Sequence, residues 1–147
     1  MTGRLAGIAR HRTRCGPIET LATVLLTPEH GVEGDRNGRK NRRQVSLIEA
    51  NDWVAAMAEV GAALPWWERR ANLLVDGIDL PHGGDVLLRI GADAVIRLKV
   101  EIDPCERMDA LVPGLRAALE PDWRGGVGGK VVMPGRINIG DEVRIDT

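Results

Sequence analysis

Hydrophobic and polar residues alternate with a two-residue period in several short segments of the chain, which is typical of half-buried β-strands. The clearest case is residues 94–102, where apolar side chains occupy every second position from Ala94 to Ile102. Strands are predicted at residues 4–10, 21–27, 44–48, 72–75, 85–90, 94–102, 130–133 and 142–145. Short strands separated by turns at this spacing predict a mainly β fold with a few helices, arranged as a compact β-barrel.

A helical period interrupts the strand pattern after residue 48. Trp53, Met57 and Val60 fall on one stripe of a helix predicted at residues 49–61. Gly61 is the residue type that commonly ends a helix. Near the C-terminus, a turn at Gly140 leads into the strand at residues 142–145, which we expect to close the barrel.

Composition places the chain among folded proteins. Its 147 residues, 44% apolar and 28% charged, predict a single domain over residues 1–147 rather than a disordered chain. No apolar stretch is long enough to span a bilayer, and residues 1–16 are rich in Arg without a signal-peptide core. The two cysteines form no CxxC pair, which argues against a disulfide framework or a structural zinc site. We therefore expect a cytoplasmic protein with no membrane partner.

Charge is unevenly distributed along the chain. Residues 1–43 contain nine Lys and Arg against four Asp and Glu, whereas residues 44–147 contain eleven against seventeen. One Gly- and Asn-rich segment, residues 31–48, holds a basic cluster: Arg36, Arg39, Lys40, Arg42 and Arg43. This cluster is either a solvated loop or an anion site. No nucleic-acid partner is expected, because the segment has neither aromatic stacking platforms nor a basic helix.

Cys105 carries the sharpest chemical signal. The pattern of Asp103 at an N-cap, Pro104 at the first helical position and Glu106 three residues after the cap predicts a second helix that begins near Asp103. A thiol in the first turn of a helix is expected to lose its proton more readily, and a thiolate is a nucleophile and a soft metal ligand. The alternative is a small buried hydrophobic residue. Cys15 is expected to be an ordinary loop residue.

Other polar side chains offer weaker signals. Arg69, Arg70 and Arg124 are further candidates for anion contacts, and the glycine pair after Arg124 is a place where backbone could approach a ligand closely. The histidines lack the spacing of metal ligands, so we expect them to lie at the surface: His11, His30 and His82.

Taken in order, six motifs resemble the MOSC domain, named for the C-terminal part of molybdenum cofactor sulfurase. The resemblance extends over almost the whole chain. The motifs are GVEGDR at 31–36, RQVSLI at 43–48, RANL at 70–73 with Gly77 and Leu80 following, PCERM at 104–108, RGG at 124–126 and IGDEV at 139–143.

The resemblance implies a MOSC-type barrel with a cleft for the pterin form of molybdenum cofactor (molybdopterin). It implies that Cys105 either ligates molybdenum or carries transferable sulfur. The residues it assigns to cofactor binding are Asp35, Arg36, Arg43, Arg70, Asn72 and Arg124. It also implies a separate partner, an electron-donor protein or a cysteine desulfurase, and no pyridoxal phosphate of the chain's own.

Three functions are compatible with the sequence. The first is an enzyme in which molybdenum held by Cys105 reduces N-hydroxylated compounds. The second is a non-catalytic carrier of persulfide sulfur or of the cofactor. The third is an anion-binding barrel without the chemistry, suggested because Asn37 stands where the family's first loop commonly has His, and because the His often found in the RGG motif is missing.

Overall fold

The computed structural model describes residues 1–39 and 42–146. These residues form eleven strands, three α-helices and two short 3-10 turns at Trp66–Arg69 and Pro121–Trp123. The strands are β1 (Thr2–Arg10), β2 (Glu19–Thr20), β3 (Thr23–Thr27), β4 (Gly31–Val32), β5 (Val45–Glu49), β6 (Leu73–Asp76), β7 (Val86–Ile90), β8 (Ala94–Glu101), β9 (Val127–Met133), β10 (Gly135–Asn138) and β11 (Glu142–Ile145). The helices are α1 (Ala50–Val60), α2 (Glu106–Leu111) and α3 (Leu115–Leu119).

Seven strands close into a barrel in the order β1, β6, β5, β9, β8, β7 and β11. All neighbours are antiparallel except β5 and β6, which are parallel and are joined by α1. The last strand pairs with β7 on one side and with β1 on the other, where Thr2 is opposite Arg144. The mainly β barrel and its closure by the last strand are therefore confirmed.

The barrel interior is filled by aliphatic side chains without a single Phe or Tyr. Leu5, Leu47, Leu73 and Ile96 are fully buried there. Burying an aliphatic side chain of this size contributes about 1.5–3 kcal/mol, so this core is the main source of stability. A small second sheet, β10-β3-β4, adds Leu26 and Ile137 to the same core.

The helices form a second hydrophobic cluster outside the barrel. Trp53 and Met57 of α1 pack there with Met108 of α2 and Leu119 of α3, as the stripe on the predicted first helix indicates. The Trp53 indole N–H donates to the Leu64 carbonyl at 2.9 Å. Gly61 ends α1 in the left-handed conformation with φ of 67°, which glycine adopts without steric cost.

Several element boundaries differ from the sequence-based prediction. The strand expected at 21–27 begins later, as β3 at Thr23, and the one expected at 130–133 begins earlier, at Val127. Neither β10 nor α3 was predicted, because β10 presents one buried side chain, Ile137, and α3 has only five residues. None of the helices in the described part of the chain combines the length and the hydropathy that a membrane-spanning helix needs.

Candidate functional site

A cavity of about 280 Å³ lies between the segment before β5, the end of β8 and the start of α2. We call it the arginine cavity. Its lining residues are His11, Arg36, Asn37, Arg43, Ser46, Arg69, Arg70, Ile102, Asp103, Cys105, Arg107 and Met108. Five guanidinium groups thus surround a free thiol, with Asp103 as the one carboxylate among these lining residues. An electropositive cavity of this kind is suited to an anionic ligand.

Three of the five guanidinium groups are available to such a ligand. Arg36, Arg43 and Arg107 are exposed and form no side-chain hydrogen bond or ion pair with any other described residue. Arg70 donates from Nη2 to the Gly16 carbonyl at 2.7 Å, which holds the loop after β1 against the cavity. The planar guanidinium fork suits bidentate contacts with phosphate or carboxylate, so these residues can hold an anion from several sides.

Arg69 has a different task from the others because it is buried, with 8% of its surface exposed. Its Nε donates to the Gly125 carbonyl at 3.1 Å, and its Nη2 donates to the Ile102 carbonyl at 3.1 Å. Burial lowers the pKa of Arg69, and the nearby Cys105 opposes this. Arg69 therefore connects Gly125, just before β9, to the segment that leads into Cys105, and it places its charge near the thiol.

Cys105 occupies the N-cap position of α2, in an extended conformation, and its carbonyl accepts the Met108 N–H at 3.0 Å. The helix begins at Glu106, not near Asp103 as predicted. The physical reason is that Arg69 reaches the carbonyls of Ile102 and Asp103, at 3.1 and 3.5 Å, while the chain there is still extended. Cys105 is partly exposed and lines the cavity.

One buried carboxylate organises the loop opposite Cys105. The Asp35 side chain is fully buried and accepts the backbone N–H of His11 on Oδ1 and that of Asn37 on Oδ2, each at 3.0 Å. Gln44 fixes the same loop by donating to the Gly38 carbonyl at 2.9 Å. Asp35 thus holds two cavity-lining residues in place and is not itself among the residues that line the cavity.

His11 is not at the surface, which corrects the sequence-based expectation. It is only 7% exposed, it lines the arginine cavity, and its Nδ1 lies 3.8 Å from Asp35 Oδ1. Burial lowers the pKa of His11 below its ordinary 6.5, Asp35 opposes this, and Arg70 and Arg36 lower it further. His30 and His82 are exposed, as expected.

Asn72 is buried beneath the cavity and does not line it. Its Oδ1 accepts the Ser46 N–H at 3.0 Å and its Nδ2 donates to the Ala9 carbonyl at 3.1 Å. These bonds connect β5 and β1 across the residue that precedes β6. Asn72 therefore positions Ser46, which does line the cavity.

Arg124 is not brought to the arginine cavity. It donates from Nη1 to the Glu59 carboxylate at 2.8 Å and to the Ala118 carbonyl at 3.0 Å, on the side of α1 and α3. The glycines that follow it serve the fold: a Cβ at Gly125 would lie 2.5 Å from the Ile102 carbonyl oxygen, and one at Gly126 would lie 2.5 Å from that of Leu47. They allow close backbone packing inside the protein, which corrects the expectation of a close approach to a ligand.

The structure thus brings Cys105, Arg36, Arg43 and Arg70 together, with Asp35 and Asn72 behind them. Lys40 of the basic cluster lies outside the described residues. The sequence interpretation missed the cavity roles of Arg107 and His11 and the buried position of Arg69. The PCERM motif placed Arg107 two residues after Cys105, in the first turn of the short helix that Cys105 caps, and that spacing was the signal available for it.

A second charged cavity lies at the other end of β5, and we call it the acidic cavity. It measures about 470 Å³ and is lined by Glu49, Asp52, Asp79, Leu80, His82 and Asp122. Burial and the Asp52 carboxylate raise the pKa of Glu49 to about 7, and burial raises that of Asp52. Arg124 lowers the pKa of Asp52, so its charge acts on this cavity.

Fold and site together define a class: a closed, mainly β barrel that presents a free cysteine in a cavity lined by arginines. The chain belongs to the MOSC domain family, since the model of the MOSC domain matches residues 33–144. Among curated proteins, none matches the sequence significantly.

Solved structures show the same fold. The YuaD protein from Bacillus subtilis superposes with a TM-score of 0.80 at 21% identity, over 97% of this chain and 94% of that one. YiiM from Escherichia coli matches with a TM-score of 0.70 at 16% identity, over 98% of this chain and 70% of that one. YiiM from Geobacillus stearothermophilus superposes with a TM-score of 0.67 at 15% identity, over 99% of this chain and 73% of that one. At these identities the likeness shows the fold alone.

Proposed function

We propose that the protein binds the pterin form of molybdenum cofactor in the arginine cavity, with the Cys105 thiolate as the chain's ligand to molybdenum, and reduces N-hydroxylated compounds. The observation that carries the proposal is that a partly exposed thiol and five guanidinium groups line one cavity. Membership of the MOSC family supports the choice of cofactor.

The residues present fit such a group. Cys105 offers sulfur, a soft donor suited to a thiolate-preferring metal. The exposed guanidinium groups of Arg36, Arg43 and Arg107 offer charge-assisted contacts to a phosphate. Arg70 adds a charge whose position is fixed by the Gly16 carbonyl.

Each part of the cavity then has a defined task. Arg43 and Arg107 bind and orient the anion, while Arg69 links the segment before Cys105 to Gly125, just before β9. Ile102 and the buried Met108 supply an apolar wall that limits water beside the thiol. When bound, the cofactor supplies the two-electron chemistry at the metal, and the protein supplies orientation and electrostatics. A separate protein would deliver the electrons.

A carrier function is the second candidate, because the Cys105 thiol is free and partly exposed. In that case the Cys105 thiolate attacks the outer sulfur of a cysteine persulfide on a desulfurase, the S–S bond of the desulfurase breaks and its thiolate leaves. The new Cys105 persulfide then passes the sulfur on without turning over a substrate. The surrounding guanidinium groups would stabilise the thiolate that such a transfer needs.

Metal and pterin analysis tests the proposal directly. Wild-type protein, Cys105→Ser and the matched control Cys15→Ser are produced in a host that makes molybdenum cofactor, then assayed with hydroxylamine-type substrates and an artificial electron donor. We expect stoichiometric molybdenum and turnover in the wild type and in Cys15→Ser, and neither in Cys105→Ser. A persulfide on Cys105 without turnover supports the carrier. If Cys105→Ser keeps full metal and activity but melts at lower temperature, Cys105 is a packing residue and the proposal is wrong.

A further inference from the structure

A smaller cavity adjoins the arginine cavity, and we call it the side cavity. Its lining residues are Cys15, Glu68, Arg70, Arg107, Met108 and Leu111. It measures about 180 Å³ and shares Arg70, Arg107 and Met108 with the arginine cavity, whereas Cys105 lines only the arginine cavity. A ligand that contacts Cys105 therefore has a second space next to it.

One wall of the side cavity is formed by α2, the helix that Cys105 caps. Arg107, Met108 and Leu111 of this helix line the cavity, and the last is one of the few large hydrophobic side chains that stay exposed, at 37%. Leu111 lies six residues after Cys105, which is about 9 Å along a helix axis. An apolar group that contacts Leu111 is thus one small molecule's length from the thiol.

Another wall is the loop after β1, which carries Cys15. Arg70 holds this loop in place, because its Nη2 donates to the Gly16 carbonyl at 2.7 Å. The same guanidinium lines both cavities. The space between α2 and the loop is therefore fixed by a hydrogen bond between two segments that are far apart in the sequence.

The side cavity suits an uncharged, apolar group. A cavity of about 150 Å³ with apolar walls is large enough for a benzene ring, so this one accommodates a single ring. Two arginines and one glutamate give it a net charge of +1, against +4 for the five arginines and one aspartate of the arginine cavity. The aliphatic stems of the arginines add apolar surface to that of Leu111. The two cavities thus favour different parts of a bound assembly: an anion in one, a ring in the other.

We propose that the side cavity binds the carbon body of the N-hydroxylated substrate, an apolar group of about one ring, while its N–O group lies beside Cys105 in the arginine cavity. The proposal rests on the proposed function and adds to it the part of the substrate that lies away from Cys105. It makes Leu111 a residue that determines specificity. The protein should therefore prefer N-hydroxylated compounds that carry a ring over those that carry a methyl group.

A matched pair of compounds tests the proposal on the metal-free protein. N-hydroxybenzamidine and N-hydroxyacetamidine have the same N-hydroxyamidine head and differ only in phenyl against methyl, and each is titrated by calorimetry or ligand-detected NMR. We expect the wild type to bind the phenyl compound about tenfold more tightly, because the side cavity takes its ring out of water.

Cys15 reports where the ring binds, since it is exposed and lines the side cavity. Iodoacetamide alkylates the protein in the presence of each compound, and mass spectrometry of the Cys15 peptide gives the rate at this thiol. Saturating N-hydroxybenzamidine should slow alkylation of Cys15 severalfold. N-hydroxyacetamidine at the same concentration should leave the rate unchanged.

Substitutions of opposite size assign the preference to Leu111. Leu111→Trp fills the side cavity and Leu111→Ser removes its apolar wall, so each should reduce the preference to about twofold or less. Val54→Trp is the matched control, because Val54 is an exposed apolar residue of α1 that does not line the side cavity. It should keep the full preference. Unchanged binding of inorganic phosphate verifies that each variant is folded.

A wild-type protein without the preference overturns the proposal, as does a preference that survives both changes at Leu111 or a Cys15 alkylation rate that N-hydroxybenzamidine does not alter. Failure of the proposed function gives a different result. Molybdenum-loaded protein then reduces neither compound, although the metal-free protein still prefers the phenyl compound. If the loaded protein instead reduces both with equal kcat/KM and the metal-free protein shows no preference, the proposed function stands and the side cavity is not a substrate site.

Discussion

The two ends of β5 carry opposite charge. Ser46, near the start of the strand, lines the arginine cavity with five guanidinium groups, whereas Glu49, its last residue, lines the acidic cavity with Asp52, Asp79 and Asp122. In both cavities burial shifts the pKa of a titratable group in the direction that favours its neutral form. It lowers the pKa of His11 and Arg69 and raises that of Glu49 and Asp52.

Charges of the same sign repel one another within each cavity, and the two cavities differ in how this repulsion can be reduced. A carboxyl group can take up a proton, and Glu49, with a pKa of about 7, does so near neutral pH. An arginine cannot lose its proton in a protein, so the five guanidinium charges remain. Only one carboxylate, Asp103, lines the cavity, so an anion from outside is needed to neutralise the rest. The basic site is therefore the stronger candidate for ligand binding.

The largest expected effect comes from replacing Arg69. It tests whether, within the arginine cavity, the buried Arg69 stabilises the fold while the exposed arginines bind the ligand. Arg69→Ala should lower the free energy of unfolding by about 3 kcal/mol, because it leaves the buried Gly125 carbonyl and the partly buried Ile102 carbonyl without the Arg69 donors. Urea denaturation measures this. Arg107→Ala, in the same cavity but exposed, should cost less than about 0.5 kcal/mol. Equal losses in both variants would refute the distinction.

Arg43 tests the binding side of the comparison. Arg43→Ala should weaken binding of the cofactor, or of inorganic phosphate, by about tenfold to a hundredfold, since it removes a charge-assisted contact of about 1.5–3 kcal/mol. Arg39→Ala is the control, because Arg39 is exposed and is not among the residues lining the cavity. Titration calorimetry compares the two. If the protein instead binds polynucleotide with a steep salt dependence, and Arg39 matters as much as Arg43, the site is a nucleic-acid surface.

The acidic cavity should respond to pH in the opposite sense to an ordinary salt-bridged carboxylate. Because the folded pKa of Glu49, about 7, lies above its ordinary 4.5, its contribution to stability is complete below pH 4.5 and is lost as pH rises toward 7. Glu49→Gln should therefore be more stable than the wild type at pH 8 by about 1 kcal/mol, a value reduced for the half-exposed side chain.

Thermal melts at pH 4 and pH 8 measure this difference. At pH 4 the advantage of Glu49→Gln should vanish, because the carboxyl is protonated in both folded and unfolded chains. Glu29→Gln, at an exposed position, should show no pH-dependent difference. An advantage of the same size at both pH values would mean that Glu49 acts through packing rather than charge.

Local signals in the sequence were sufficient for much of the fold. Alternation located the barrel strands, and Gly61 and the turn at Gly140 marked boundaries that the structure confirms. The start of α2 was wrong because a capping pattern describes local preference, whereas Arg69, more than thirty residues earlier, holds the carbonyls that precede Cys105. Long-range hydrogen bonds of this kind have no local signature.

Residues of the candidate site could be predicted only where they belong to a recognisable sequence motif. Cys105, Arg36, Arg43 and Arg70 were identified by their motifs, but His11 was not, since it reaches the cavity only after β1 pairs with β6 and Asp35 binds its N–H. Adjacent Arg69 and Arg70 have different environments because Arg70 adopts a left-handed conformation, with φ of 65°, after the 3-10 turn. No periodic pattern in the sequence encodes that choice.

Replacing Arg124 has the smallest expected effect. It also tests whether Arg124 acts on the acidic cavity or on the arginine cavity. Resemblance assigned it to cofactor binding, yet its guanidinium contacts Glu59 and Ala118 and lowers the pKa of Asp52. Arg124→Ala should leave phosphate binding within about twofold of the wild type and cost about 0.5 kcal/mol of stability, as for other partly exposed ion pairs. It should also raise the pKa of Asp52 further, which NMR titration of that carboxyl can measure. A tenfold loss of phosphate binding in Arg124→Ala, comparable to that in Arg43→Ala, would instead place Arg124 with the arginine cavity, because only a guanidinium that reaches the anion can weaken its binding to that extent.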